Sequence, residues 1–582
     1  MTNTRPLLCA ALLLLAACDR SDEEQSALRD GEAGSIGYEV WGSDQSNSVP
    51  GETARGVNGS WIWIWDGADI EAQVAGGPDA AALGCAGMAG AGPCDVNAVF
   101  PAGLAEIDAD GTPTGSLRPQ IGRLHGMLVD PQNKYLTANL FAPGGAFVGI
   151  IDGRTKEAVA LFRASGTSAG RSNHMSFWDE DGSAILIANL NGKILERIDV
   201  VRDAQGDIIS ATFDEGAGLG VGADMTITDR PKVYVGNNLA GNPMIGSIAP
   251  GSPDLGNTTP NGACRENGCS AGANGSAGGR PNNLIICPIP SETSDHTFMT
   301  LAGGGMLVVD HSTTPMSIVG EYGNQVINGA GCGGVEGDGS IYMNAGVSAS
   351  GAGATHSTFT IYDVALQFPD APSFNPENTP APTVVYADAG NTATNGNLSG
   401  PASNATGQLP GITTRRDSHG MAKTTSGLWV HTVDRIQNEV EVLGVANSQH
   451  KDWYDLTSAD GNGHGVGACE AYSVDDDPGL PTNDPAPDLM GVDPNGRFLF
   501  VAFRGPAPVS VTHAAQGSCP GVGVVELQGS GKKGSLVSVL RSTNTVDTVD
   551  AGAAAAPGGH TYTGAERSDV HAAIVRRKVE TE

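Results

Sequence analysis

The chain has 582 residues, 83 of them glycine and 5% aromatic, and carries a formal net charge of −32. That acidity excludes a nucleic-acid partner, since phosphate recognition needs a basic face, and it disfavours close apposition to anionic lipid except through a covalent anchor. High glycine, few aromatics and the lack of a long amphipathic pattern fit many short strands joined by tight turns.

The chain opens "MTNTRPLLCAALLLLAACDRSDEEQ". Its apolar run, Leu7 to Ala17, is too short to span a bilayer as a permanent helix and reads as a signal peptide, residues 1–17. Leu15-Ala16-Ala17-Cys18 resembles the lipobox of bacterial lipoproteins. The resemblance implies cleavage before Cys18, diacylation of its sulfur and a place in the bacterial cell envelope, on the periplasmic side or cell surface; the alternative is an ordinary secretory signal. Residues 18–59 are polar and rich in Gly, Ser and Glu, and read as a flexible tether. Residues 60–582 read as a single domain.

"SWIWIWDG" (60–67) is the first predicted strand, and period-two alternation puts Trp61, Trp63 and Trp65 on one face, as core. With Cys9 in the signal and Cys18 lipidated, eight cysteines remain: Cys85, Cys94, Cys264, Cys269, Cys287, Cys332, Cys469 and Cys519. An even count in an exported chain predicts disulfides. Nearness in sequence pairs Cys85 with Cys94 and Cys264 with Cys269, while Cys287–Cys332 and Cys469–Cys519 would each bridge a longer stretch. No CxxC or CxxCH occurs, which argues against a ribbon-type zinc site and a c-type haem.

From there a unit recurs: "RLHGMLVDPQNKYLTANLF" (123–141), "RSNHMSFWDEDGSAILIANL" (171–190), "RDSHGMAKTTSGLWVHTVD" (416–434) and "APDLMGVDPNGRFLFVAF" (486–503), with weaker copies between. Each is a short apolar strand, a polar turn and a second apolar strand, and several run on into a third. Repeats of roughly 40–50 residues, each a small antiparallel sheet, predict an all-β propeller. The lone strand "HAAIVRRK" at the C-terminus would pair with N-terminal strands to close the ring. Eight blades count this way, with seven as the alternative because the unit near 224 is weak. Gly/Pro-rich stretches near 250–281, 346–356, 370–412 and 475–487 read as loop insertions. "KVYVGNN", "GRFLFVAF" and "VDPNGR" resemble YVTN-type propeller repeats, a resemblance that concerns fold.

Counting back eight residues from the turn Gly or Asn gives the same column in most units, with the turnless last unit aligned on its apolar strand: His125, His174, Asp224, Asn282, Gly331, His419, Asp488, His571. The first strand of each propeller blade starts beside the central channel, so the column predicts a ring. Neutral imidazoles from His125, His174 and His571, completed by His419, Asp488 or Asp224, form a candidate site for Cu, Fe or Zn. In architecture alone this resembles nitrous oxide reductase, carotenoid oxygenases and selenium-binding or methanethiol oxidase proteins. The competing reading makes the histidines structural, each bonded to a neighbouring blade's backbone.

His311, His431, His464 and His560 lie off the column and read as surface or loop residues, and "DEDG" (179–182) as a surface turn that needs no ion. Three function classes follow: a lipid-anchored propeller binding a protein or small molecule at the channel mouth, a metal-dependent oxidoreductase, and a lactonase-like enzyme. The last resembles the phosphogluconolactonase and carboxymuconate cyclase group, whose pattern adds Arg and Glu to channel histidines. The column here offers no Arg.

Overall fold

A computed structural model of the chain describes residues 35–45, 60–88, 90, 92–141, 145–222, 224–255, 280, 282–349, 355–370, 379–388, 416–435, 437–456, 485–505, 519–542 and 568–579. Residues 37–582 form one unit. The signal and Cys18 lie outside the described residues, as do Cys264, Cys269, Cys469, His464 and His560.

The fold is a β-propeller, and among the described residues its sheets contain seven groups of four antiparallel strands, two of them joined in one eight-stranded sheet and two extended by further edge strands. The innermost strands are Leu124–Val129, Asn173–Trp178, Leu284–Pro290, Gly334–Glu336, Ser418–Lys423, Pro487–Val492 and Val570–Arg577, which set blades 1 to 7 in that order. Packing of each innermost strand, or the strand beside it, on the next blade closes the circle. The first hairpin of blades 1, 2, 5 and 6 turns on a residue with positive φ, Asn133, Gly182, Gly427 and Gly496. In each, that residue's N–H bonds the carbonyl three positions back, at Asp130, Asp179, Thr424 and Asp493. Left-handed backbone favours Gly or Asn, which explains the DPQN, DEDG, TTSG and DPNG spacing.

The segment near 224 is not a blade. Lys232–Val235 pairs with Glu157–Arg163 and Ala105–Ile107, extending blade 1 at its outer edge, and Ile227–Asp229 pairs with Gly166–Thr167. The apolar run that looked like a blade's second strand is an edge strand, so of the two counts the described residues give seven.

The N-terminal boundary also moves. Tyr38–Asp44, assigned to the tether, is a fully buried strand between Val570–Arg577 and Trp61–Asp66. The C-terminal strand pairs with N-terminal strands as expected and is innermost in blade 7, and "WIWIW" is the third strand of that blade, behind Tyr38–Asp44. Trp61, Trp63 and Trp65 are buried, with Trp63 and Trp65 stacked at 5.8 Å. Their burial against blade 6 residues such as Phe498 and Phe500 outweighs the polar composition of the preceding segment. Cys85–Cys94 and Cys287–Cys332 are disulfides, and Cys519 is also disulfide-bonded.

Candidate functional site

In blades 1, 2, 5 and 6 the column residue falls where the innermost strand slips register against its neighbour: Leu124/Gly126, Asn173/Ser176, Ser418/Met421 and Pro487/Met490. A bulge leaves a residue unpaired and re-aims its side chain, and the residues so freed are His125, His174, His419 and Asp488. The recurring His-Gly-Met has a related cause. A Cβ on Gly126 would lie 2.5 Å from Met175 Sδ, and one on Gly420 would lie 2.3 Å from Asp488 O. Neighbouring innermost strands approach too closely there for a side chain.

The structure gathers five of the six proposed ligands. His125 Nε2 lies 3.1 Å from His174 Nε2. The His125 ring is 4.1 Å from that of His571, which is 5.7 Å from that of His419. His419 Nδ1 bonds Asp488 Oδ1, and His571 Nε2 is 3.9 Å from Asp488 Oδ2. All five side chains are buried. Asp224 does not join them. It is exposed at φ 48° in the turn before Ile227–Asp229, which is no innermost strand. Its place in the column depended on the blade that does not form.

Blades 3 and 4 contribute sulfur. Cys287 sits at the Ile285/Pro288 bulge, equivalent to the histidines, and is joined to Cys332. Cys287 Sγ is 4.0 Å from His174 Nδ1. Asn282 and Gly331, the residues expected in the column, precede these positions. Because both sulfurs are in the disulfide, His174, Cys287 and Cys332 offer no thiolate despite their proximity.

Hydrogen bonds assign the tautomers of the pair. His174 Nδ1 is 2.9 Å from the carbonyl of Ile286, which only accepts, so Nδ1 carries the proton and Nε2 a lone pair. Gln45 Nε2 donates to the His125 carbonyl at 3.3 Å and faces His125 Nδ1 at 3.1 Å. His125 Nδ1 therefore accepts, and its Nε2–H points at His174. Gln45 follows the N-terminal strand and was hidden by the tether assignment.

Buried arginines stand behind the ring. Arg504 donates to Asp488 Oδ2 at 2.8 Å and holds Asp569 at 2.6 and 2.8 Å. Arg435 binds both oxygens of Asp417 at 3.0 Å and lies 3.9 Å from Asp488. Arg123 stacks over Phe141 at 4.7 Å. The sequence carries a signal for two of them: Asp417 and Asp569 each stand two residues before a ring histidine, and Arg435 and Arg504 each follow a second strand.

Burial first, then His571 and His174, hold the His125 imidazole well below its usual range. Burial also lowers His571 well below, aided by Arg504 and opposed by Asp488. His419 is lowered by burial and Arg435, against the pull of Asp488. Burial alone would raise the Asp488 carboxyl, but His419, His571 and Arg435 hold it well below the usual carboxylate range. The ring thus combines neutral imidazoles with an ionised carboxylate. Beside it lies a cavity of about 250 Å³ lined by Met127, Met175, Met421, Met490, Leu489 and Ile574 among others.

Two histidines off the column are buried, not on the surface. His431 bonds Tyr454 Oη at 2.9 Å and Gly531 O at 2.7 Å, joining blade 5 to blade 6. His311 packs between blades 2 and 3 near Glu180.

No family model and no curated protein sequence matches the chain. Solved structures similar to it are propellers of distant sequence. A candidate 6-phosphogluconolactonase from Bacteroides fragilis aligns over 94% of this chain and 99% of its own, at TM-score 0.41 and 9% identity. The periplasmic gluconolactonase of Pseudomonas aeruginosa aligns over 93% and 99%, at 0.40 and 9%. The Swd1 propeller domain of Myceliophthora thermophila aligns over 65% and 93%, at 0.29 and 11%. Likeness at this level bears no weight for activity.

Proposed function

We propose that the channel ring binds one transition-metal ion, with Nε2 of His125 and of His174 as a ligand pair and His571, whose ligand nitrogen now lies within 4.8 Å of His419 and Asp488, turning to join them as the third ligand. The observation that carries this reading is the 3.1 Å between the two Nε2 atoms. Two imidazoles on one ion at about 2.0–2.1 Å each have nitrogens about 2.9–3.4 Å apart. Further support comes from His571, whose buried Nδ1 has no hydrogen-bond partner. Imidazole suits copper, iron and zinc. The methionines of the adjoining cavity favour copper, because thioethers are soft donors. Loading would require Gln45 to turn its amide, so that Oε1 accepts a proton moved to His125 Nδ1.

On this reading the chain is a metal-binding propeller of the cell envelope, held to a membrane through lipid on Cys18. Substrate access through the methionine-lined cavity would make it a metal-dependent oxidoreductase. Two disulfides fit an oxidising compartment. Cys18→Ser should abolish lipid labelling and release the protein without detergent. Copper-loaded wild type should hold one ion per chain, and a His125→Ala/His571→Ala double variant should lose it while His450→Ala keeps it. Equal copper content in wild type and the double variant overturns the metal reading.

A second reading, ring-opening hydrolysis of a small sugar lactone, draws on the arginines behind the ring. His419 is oriented by Asp488 as a general base, and Arg123, Arg435 and Arg504 supply the cations that the column lacked. Turnover of sugar lactones at neutral pH that is lost in His419→Ala supports it. No turnover across a lactone panel removes it.

A further inference from the structure

Between blades 2 and 3, away from the channel, the first hairpin turn of blade 2 faces the second and third strands of blade 3 across a cavity of about 340 Å³. Asp179, Glu180, Asp181, Asp199, Asp295 and His311 are among the residues that line it. One carboxylate oxygen each of Asp179 and Glu180 and one ring nitrogen of His311 lie within 4.8 Å of one another. His311 Nε2 is 3.3 Å from Glu180 Oε2.

Two features separate this cluster from an ordinary acidic surface. Asp179 is 4% exposed, and its Oδ1 has no hydrogen-bond partner, while Oδ2 accepts from Ser183 Oγ at 2.7 Å. A buried carboxylate oxygen without a donor carries a desolvation cost that a bound cation would offset. His311, 3% exposed, is held by Thr297 Oγ1 at Nδ1, 2.9 Å away, which leaves Nε2 to the cavity. A ligating histidine is oriented in this way, its far nitrogen fixed by a polar partner. Nearby Arg197 is already engaged by Asp199 at 2.7 Å and Asp214 at 2.9 Å, so its charge is matched.

We propose that Asp179, Glu180 and His311 form a second metal site, taking a divalent cation of the Mn²⁺ class and tying blade 2 to blade 3. Carboxylates with a single imidazole suit Mn²⁺ better than copper, which prefers more nitrogen or softer donors. The 3.3 Å Glu180–His311 separation fits adjacent ligands on one ion, and Asp179 must draw in by a rotamer adjustment to complete the set. This cluster shares no residue with the channel ring.

The test is Mn²⁺ titration of the full chain, with free Mn²⁺ read by electron paramagnetic resonance. Wild type and the ring variant His125→Ala/His571→Ala should each bind one Mn²⁺ with the same affinity. Glu180→Gln, at the least buried of the three positions, should weaken binding by about tenfold or more, and His311→Gln likewise. Circular dichroism checks that each variant is folded, and Glu180→Gln alone decides if His311→Gln is not. Unchanged affinity in folded Glu180→Gln, binding that disappears in the ring variant, or no binding to wild type at millimolar Mn²⁺ would each overturn the proposal.

Discussion

The channel ring has two unlike arcs. Blades 5, 6, 7, 1 and 2 supply His419, Asp488, His571, His125 and His174, while blades 3 and 4 close the circle with Cys287–Cys332. In blades 1, 2, 3, 5 and 6 the ring residue sits at the same kind of bulge, so the backbone does not distinguish the arcs. Side-chain chemistry does. The sulfur arc is joined covalently and offers no free ligand atom, whereas the histidine arc is held by hydrogen bonds and ion pairs that leave donor atoms facing one another. One device therefore serves both closure of the ring and assembly of a site.

The comparison breaks most severely at Asp488. Replacing it with Ala removes the partner of His419 and strips Arg504 of one of its two buried carboxylates. Breaking a buried pair this way costs about 3–5 kcal/mol, readable as a fall in the denaturant midpoint. In the sulfur arc, Cys287→Ser/Cys332→Ser opens a bridge of 45 residues' separation and should cost about 2–4 kcal/mol. Its copper content should stay at the wild-type value. Equal copper loss from the cysteine and histidine variants would erase the distinction between the arcs.

Acid should weaken the histidine arc first. His125 and His571 titrate well below the unfolded value of about 6.5, so below that pH the unfolded chain binds more protons than the folded one. Their contribution to stability is complete above about pH 6.5. Each such histidine then withdraws about 1.4 kcal/mol per pH unit as pH falls towards its folded value. His431, lowered to about 4 by burial, adds the same slope over that interval. Stability measured from pH 7 to 5 should fall with this sign, and His431→Gln should flatten the slope. The smallest effect concerns protons on loading. Since His125 and His571 are already neutral at pH 7, copper binding should release close to none from the ring, and its heat should not vary with the buffer's ionisation enthalpy.

Much of the ring was legible because the turn is conserved in spacing within the chain. Eight residues back from Asn133, Gly182, Gly427 and Gly496 stand the four bulged residues, and the apolar pattern placed His571. In blades 3 and 4 the spacing differs, so the column points to Asn282 and Gly331 where the ring residues are Cys287 and Cys332. Asp224 enters the column because an edge strand and a blade strand share one apolar pattern. Gln45 was missed because a polar, glycine-containing segment was read by composition, while partners far along the chain bury it. Asp179 and His311 were missed because the same turn chemistry that sets the hairpin explains "DEDG" fully; only the approach of blade 3 gives its carboxylates a second use.

The most direct measurement is anomalous diffraction at the copper edge from crystals of copper-loaded protein. The account predicts one peak in the channel within about 2.0–2.3 Å of His125 Nε2 and His174 Nε2, with the Gln45 amide turned towards His125 Nδ1. A channel without a peak at saturating copper, and with the His125–His174 hydrogen bond intact, would contradict it.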